Sequence, residues 1–189
     1  MTARRVALLA FVVALPIGVG CGGGGGGGGG GDTLQLSCVD GGAAPANAVT
    51  LICGGATNST TERVDVVLGG PASGTTTLRG LNFDVIYEPA NLEYVPAATD
   101  TSPLFSPNAL VAVRLSDDQP GRVIVSIQEY GSVVAPVSVG AGQHLVLSLS
   151  FRRAAGVTFG PTPLTFENAE ATSAVPAISF GSALALSYQ

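Results

Sequence analysis

Apolar and polar residues alternate in short runs along most of the chain, with turn residues between the runs. Val64, Val66 and Leu68 share one side of such a run, which Gly69-Gly70-Pro71 ends. Because successive side chains of a β-strand point to opposite faces, this period of two predicts half-buried strands. The predicted strands include 62–68, 81–87, 109–115, 122–128, 145–151, 164–167, 175–180 and 183–188.

The run 145–151 shows the alternation most clearly. It places Leu145, Leu147, Leu149 and Phe151 on one face, with Val146, Ser148 and Ser150 on the other. The turn residues Asp-Asp-Gln-Pro-Gly at 117–121 join 109–115 to 122–128 and predict a hairpin. About nine or ten strands of this length predict an all-β sandwich of two sheets, and a closed barrel is the alternative.

Composition supports a folded domain and excludes one class of partner. Apolar residues make up 46% of the chain and charged residues 11%, which is unlike the composition of disordered proteins. Beyond the first twenty residues, six arginines stand against thirteen acidic residues, a formal net charge of −7. A nucleic-acid-binding protein needs a clustered basic face, so the charge excludes that function.

The first twenty residues have the pattern of a secretion signal. Arg4 and Arg5 precede an uncharged apolar run over 6–19, which is shorter than the about 20 residues that span a bilayer. Gly18-Val19-Gly20-Cys21 resembles the lipobox of bacterial lipoproteins, whose cysteine is diacylated and becomes the mature N-terminus. The resemblance implies that Cys21 carries the lipid, and Gly22 after it favours the outer membrane or cell surface over the inner membrane.

Ten glycines, 22–31, follow Cys21. Such a segment is expected to be a flexible coil with an end-to-end distance of about 17 Å. The chain is therefore predicted to comprise a signal peptide (1–20), a polyglycine tether (21–33) and one β-sandwich domain (34–189), in a monomeric protein.

Three cysteines leave a pair once Cys21 is assigned to the lipid. Cys38 and Cys53 would lie in an oxidising compartment, where a disulfide is expected. Two separate buried thiols are the alternative. Neither cysteine has a second Cys or His at a spacing typical of zinc ligands, so no metal site is predicted.

The sequence at 80–95, GLNFDVIYEPANLEYV, resembles the segment of cohesin domains in which a strand ends in an aromatic residue, an acid and a proline, with a leucine following. The segments 121–126, 146–151 and 155–158 are similar to the middle strand, late strand and following turn of the same family. The resemblance covers about 57–188 and implies a nine-stranded jelly-roll sandwich. It implies structural roles for Phe83, Tyr87, Pro89, Leu92, Leu149 and Phe151.

Cohesins are non-catalytic modules, so the resemblance implies a binding protein without a cofactor. The implied partner is a dockerin, a small calcium-loop helical module often attached to polysaccharide-degrading enzymes. Direct carbohydrate binding is an alternative, with Tyr94 and Tyr130 as the candidate exposed rings, although both fit loop packing better. A purely structural surface lipoprotein is the other alternative, and the pattern assigns no ligand-contacting residue.

The sequence offers little support for catalysis. His144 is the single histidine and opens a predicted strand, where a solvent-exposed edge position is the better interpretation, and no G-x-S-x-G elbow is present. Asp117 and Asp118 fit a polar turn. Glu88 and Glu93 flank Pro89, but nothing in the pattern brings them together as the carboxylate pair of a glycosidase.

Overall fold

The computed structural model describes residues 35–39, 42–97, 100–131, 135–181 and 183–188. The predictions on the signal peptide, on Cys21 and on the glycine tether lie outside these residues. The described strands are β1 (Leu36–Val39), β2 (Ala48–Asn58), β3 (Thr61–Gly69), β4 (Thr76–Leu78), β5 (Gly80–Ile86), β6 (Leu92–Val95), β7 (Leu110–Leu115), β8 (Arg122–Gln128), β9 (Val137–Val139), β10 (Gln143–Arg153), β11 (Phe159–Thr172), β12 (Ser179–Phe180) and β13 (Leu184–Tyr188).

Two main sheets form the sandwich. The six-stranded sheet has the order β1-β13-β11-β5-β8-β7, and the five-stranded sheet has the order β12-β2-β3-β10-β6. All their pairings are antiparallel except that of β12 with β2. A small third sheet pairs β4 with β9. The predicted all-β sandwich is confirmed.

One apolar core fills the space between the sheets. The five-stranded sheet contributes Val64, Val66, Leu149 and Phe151, and the six-stranded sheet contributes Leu81, Phe83, Val85, Val123, Val125 and Ile127. These residues alternate with outward-facing ones along each strand, as the period of two requires. Thirteen strands are described where about nine or ten are predicted, because β4, β9 and β12 have only two or three residues each.

The predicted facing of β10 is wrong at its start. The pairing of β10 with β3 shifts register between Leu145 and Leu147, which marks a β-bulge at Val146. The extra residue reverses the alternation, so Val146 is buried while Leu145 is 39% exposed. The prediction of a core-facing Leu149 and Phe151 holds because both lie beyond the bulge.

Two further strand predictions are wrong in extent. The run 164–167 is part of the longer β11, which begins at Phe159 and contains two prolines. Residues Pro161 and Pro163 are tolerated because β11 pairs there with β13 alone and leaves its other edge open. In the run 175–180, Val175 makes an isolated bridge to Thr77, and only Ser179–Phe180 forms a strand.

Candidate functional site

The turn after β5 is built from the motif that carries the family resemblance. The N–H of Tyr87 donates to the Gly121 carbonyl at 2.8 Å, and the N–H of Leu92 donates to the Glu88 carbonyl at 3.0 Å. Gly121 has a φ of 82°, and a Cβ there would clash with the Tyr87 carbonyl oxygen. Pro89 is exposed at the turn, while Tyr87 and Leu92 are buried on either side of it.

Three aromatic rings form the core beneath this turn. The ring of Phe151 lies 5.4 Å from that of Tyr87 and 5.9 Å from that of Tyr94, in edge-on and tilted arrangements. Tyr94 is 4% exposed, so it is a core residue and not a glycan platform. Tyr130 is 71% exposed, so it is the exposed ring of the two candidates, and the loop packing favoured for it is wrong.

Burial changes the ionisation of the buried tyrosines. It raises the pKa of Tyr87. It also raises the pKa of Tyr94 to about 12, with a further contribution from the negative charge of Asp100. Both phenols therefore stay neutral near pH 7, and neither is suited to act as a base.

A disulfide joins Cys38 to Cys53, as predicted, with their Cα atoms 5.8 Å apart. Cys38 lies in β1 of the six-stranded sheet and Cys53 lies in β2 of the five-stranded sheet. The disulfide therefore connects the two layers of the sandwich at its N-terminal strand.

The outer face of the six-stranded sheet is a platform of four strands. The registers align its side chains in cross-strand rows: Leu110 with Gln128, Gly80 and Thr172; Ala112 with Ser126, Asn82 and Glu170; Arg114 with Ile124, Asp84 and Glu167; and Arg122 with Ile86 and Thr165. We call these residues the platform. Short and polar side chains occupy its centre, and Ile86 and Ile124 are partly exposed.

Hydrogen bonds fix the polar side chains of the platform. Arg122 pairs with Asp84 at 2.8 Å and with Glu167 at 2.7 Å. Asn168, in a bulge of β11 with a φ of 48°, donates to Asp84 at 2.7 Å. Hydroxyl and amide bonds from Ser126 to Asn82 and from Gln128 to Thr172 continue the network. A surface whose side chains are held in this way loses little conformational entropy when a partner binds.

The outer face of the five-stranded sheet is partly covered by its own chain. Thr50 and Val67 point outward in register, yet both are buried. Residues 44–45 lie so close to this face that a Cβ on Gly69 would clash with the Pro45 carbonyl oxygen. The Gln143 side chain holds that segment by accepting from the Ala44 N–H and donating to the Ala44 carbonyl. This part of the five-stranded face is therefore closed to a partner.

The residues considered for catalysis are dispersed. His144 is half-buried, with Nε2 2.9 Å from the Gly140 carbonyl oxygen, so the predicted solvent-exposed position is wrong. Glu88 accepts from the Ala90 N–H at 3.2 Å, whereas Glu93 pairs with Arg152 at 2.7 Å. Asp117 and Asp118 lie exposed in the bend between β7 and β8. The described residues bring no three Asp, Glu, His or Cys side chains into a metal-binding group.

Two buried carboxylates were missed from the sequence. Glu62 is 3% exposed on the core side of β3, opposite Phe151. Burial raises its pKa, and a hydrogen bond from the Gly55 backbone partly offsets the effect. Glu129 accepts from the Ser106 N–H and hydroxyl at 2.6 and 2.7 Å and so anchors the segment before β7. The alternation of β3 places Glu62 in phase with Val64 and is the signal that could have found it.

No protein-family model and no curated protein matches the sequence. In the described part of the chain, no helical segment has the length and apolar character required to cross a membrane.

Solved structures match the fold. The sixth cohesin of scaffoldin B from Acetivibrio cellulolyticus, solved with a mutant dockerin, is 14% identical with a TM-score of 0.53, over 71% of this chain and 93% of that one. A type II cohesin domain from the cellulosome of Acetivibrio cellulolyticus is 12% identical with a TM-score of 0.51, over 75% and 95%. The second type II cohesin module of the ScaA scaffoldin from that organism is 13% identical with a TM-score of 0.51, over 72% and 86%. The chain therefore has the fold of cohesin domains.

Proposed function

We propose that the chain is a non-catalytic binding module of cohesin type that holds a dockerin-like protein through its platform. The observation that carries this proposal is the fold shared with a cohesin solved in complex with a dockerin. The accessibility and fixed side chains of the platform favour this face over the partly covered one. A link to polysaccharide handling follows from the enzymes to which dockerins are often attached.

We propose further that the protein is secreted and anchored by a lipid on Cys21, at the outer membrane or cell surface. The charged and apolar pattern of 1–20 and the lipobox-like Gly18-Val19-Gly20-Cys21 support this. Several acyl chains on one N-terminal residue give stable attachment where a single chain is marginal. The ten glycines would then separate the domain from the membrane.

The test is capture of a partner by the chain from residue 21 onward, carrying Cys21→Ser so that no lipid is present. Immobilised protein is incubated with the secreted proteins of the source organism, with calcium or with chelator, and a glycan array is run in parallel. We expect a captured protein with paired calcium-loop repeats that chelator releases. A strong glycan signal without such a protein would favour direct carbohydrate binding, with the exposed Tyr130 as its first candidate contact.

A further inference from the structure

A cleft of about 440 Å³ lies apart from the platform, between β7 of one sheet and β10 of the other. Ala97 and residues 100–103 also line it. Its size falls within the range of about 300–1,000 Å³ that is usual for small-ligand sites. The cleft therefore has room for one extended side chain or a small molecule.

The floor of the cleft is apolar. Tyr94, Val113, Leu145 and Leu147 contribute to it. The bulge at Val146 brings Leu145 to the cleft, because without that extra residue the alternation of β10 would bury Leu145 in the core. An aliphatic chain would bury apolar area on this floor.

The rim carries a carboxylate. Among the described residues that line the cleft, Asp100 is the one with a carboxyl or basic side chain. Its Oδ2 accepts the Val113 N–H at 2.9 Å, and no hydrogen bond or ion pair among the described residues uses its Oδ1. The hydroxyls of Ser102 and Ser148 already donate to the Val146 carbonyl and to Asp65. Oδ1 of Asp100 is thus left as an acceptor for a ligand, and the hydroxyl of Thr101, which also lines the cleft, lies near it in the chain.

We propose that this cleft binds an aliphatic chain that ends in an ammonium group. The stem would lie on Leu145 and Leu147, and the ammonium would donate to Oδ1 of Asp100. A guanidinium is less well matched, because it pairs best with both oxygens of a carboxylate side by side, and Oδ2 of Asp100 already accepts the Val113 N–H. The ligand is either a lysine side chain of a protein or a free alkylamine, and the site does not depend on the platform.

The test is a titration of the isotopically labelled chain from residue 21, carrying Cys21→Ser, followed by the backbone amide signals of Thr101, Ser102 and Ser148. Three probes are compared: acetyl-glycyl-lysyl-glycine amide, the same peptide acetylated on the lysine Nε, and hexylammonium. We expect saturable shifts with the lysyl peptide and at least tenfold weaker binding of the acetylated one, which keeps the stem but loses the charge. Saturation by hexylammonium without the lysyl peptide would identify the source as a free amine.

Variants separate the site from general charge effects. Asp100→Asn keeps an oxygen acceptor for Val113 and should weaken the binding of the charged probes about tenfold. Asp117→Asn removes the same charge in an exposed bend and should leave binding unchanged. Leu145→Ser retains Asp100 and should also weaken binding. Equal binding of the acetylated peptide, equal effects of the two Asp variants, or no saturable shift with either ammonium probe would overturn the proposal.

Discussion

Phe151 shows at the scale of one residue how a sequence pattern becomes a core contact. It is 0% exposed and packs against the rings of Tyr87 and Tyr94. Truncating the Phe151 side chain would leave a cavity between the two tyrosine rings, and the close-packed core around it could close that cavity only in part. We expect Phe151→Ala to lower the free energy of unfolding by about 3–5 kcal/mol, measured by urea denaturation.

Leu110→Ala is the control for that measurement, because Leu110 is exposed on the platform edge. Its change should stay within about 0.5 kcal/mol. A loss for Phe151→Ala no larger than that of the control would contradict the core position of Phe151.

Glu62 gives a pH prediction. Burial raises its pKa, so the folded protein binds this proton more tightly than the unfolded chain, and stability falls as the pH rises above the unfolded value near 4.5. Glu62→Gln keeps an acceptor for the Gly55 N–H but cannot ionise. The variant should therefore have a higher Tm than the wild type at pH 7, and the gap should shrink as the pH falls toward 4.5 and be lost below it.

Thermal unfolding from pH 3 to pH 8 measures both proteins. A gap that is independent of pH, or a variant less stable than the wild type at pH 7, would be inconsistent with a raised pKa at Glu62.

Residue-level prediction worked where alternation was unbroken and failed where the backbone departed from it. Phe151 was placed in the core correctly from its alternation, and Phe83 and Leu92, to which the family resemblance gives structural roles, are buried. Leu145 was placed wrongly because nothing in its neighbours signals the bulge at Val146.

At the scale of elements, β1 depends on a covalent connection to the other sheet. It has only four residues, pairs with β13 alone in its sheet and is joined to β2 by the disulfide. The disulfide spans 15 positions, so in the chain-entropy model its loss should cost about 3 kcal/mol. We expect the double variant Cys38→Ser, Cys53→Ser to be less stable by about that amount in urea denaturation.

Cys21→Ser lies outside the pair and should leave that stability unchanged. Equal stability of the double variant and of Cys21→Ser would show that the disulfide does not stabilise the sandwich.

The close approach of Gly121, before β8, to the Tyr87 backbone gives a second prediction at this scale. Gly121→Ala places a Cβ at a φ of 82° and in a clash with the Tyr87 carbonyl oxygen. The variant should lose more than about 1 kcal/mol of stability. Gly156 has a similar φ of 73°, but a Cβ there would meet no atom within 4 Å, so Gly156→Ala is the control. The stability that Gly121→Ala loses beyond Gly156→Ala measures the clash with the Tyr87 carbonyl oxygen. Equal losses at both positions would contradict the close approach to Tyr87.

Element-level prediction worked for the long alternating strands and for the hairpin of β7 and β8. It failed for β11, because prolines at 161 and 163 signal a break in sequence yet are accommodated where one strand edge is unpaired. Strands of two or three residues, such as β12, carry too few positions to show a period.

At the scale of the whole molecule, the anchor and the binding domain are predictions of different kinds. The anchor depends on residues 1–21 alone, so it is tested independently of the fold. Growth with a labelled fatty acid should label the wild type and leave Cys21→Ser unlabelled. Equal labelling of both proteins would reject lipid attachment at Cys21.

The family resemblance of 80–95 was enough to predict the sandwich but not its binding face. The platform was chosen as the binding face because residues 44–45 cover part of the other face. The contacts that hold residues 44–45 there join residues far apart in sequence, so no local pattern predicts them. The network of Arg122 with Asp84 and Glu167 likewise joins three strands far apart in sequence.

Partner capture with a matched pair of variants tests the central claim most directly. Ala112→Arg places a large side chain on the exposed face of β7, the edge strand of the platform, whereas Ala72→Arg makes the same change in an exposed loop between β3 and β4. We predict that the wild type and Ala72→Arg retain a calcium-dependent protein partner and that Ala112→Arg loses it, while all three unfold at the same urea concentration. Equal retention by the two variants, or capture that chelator does not affect, would contradict the account.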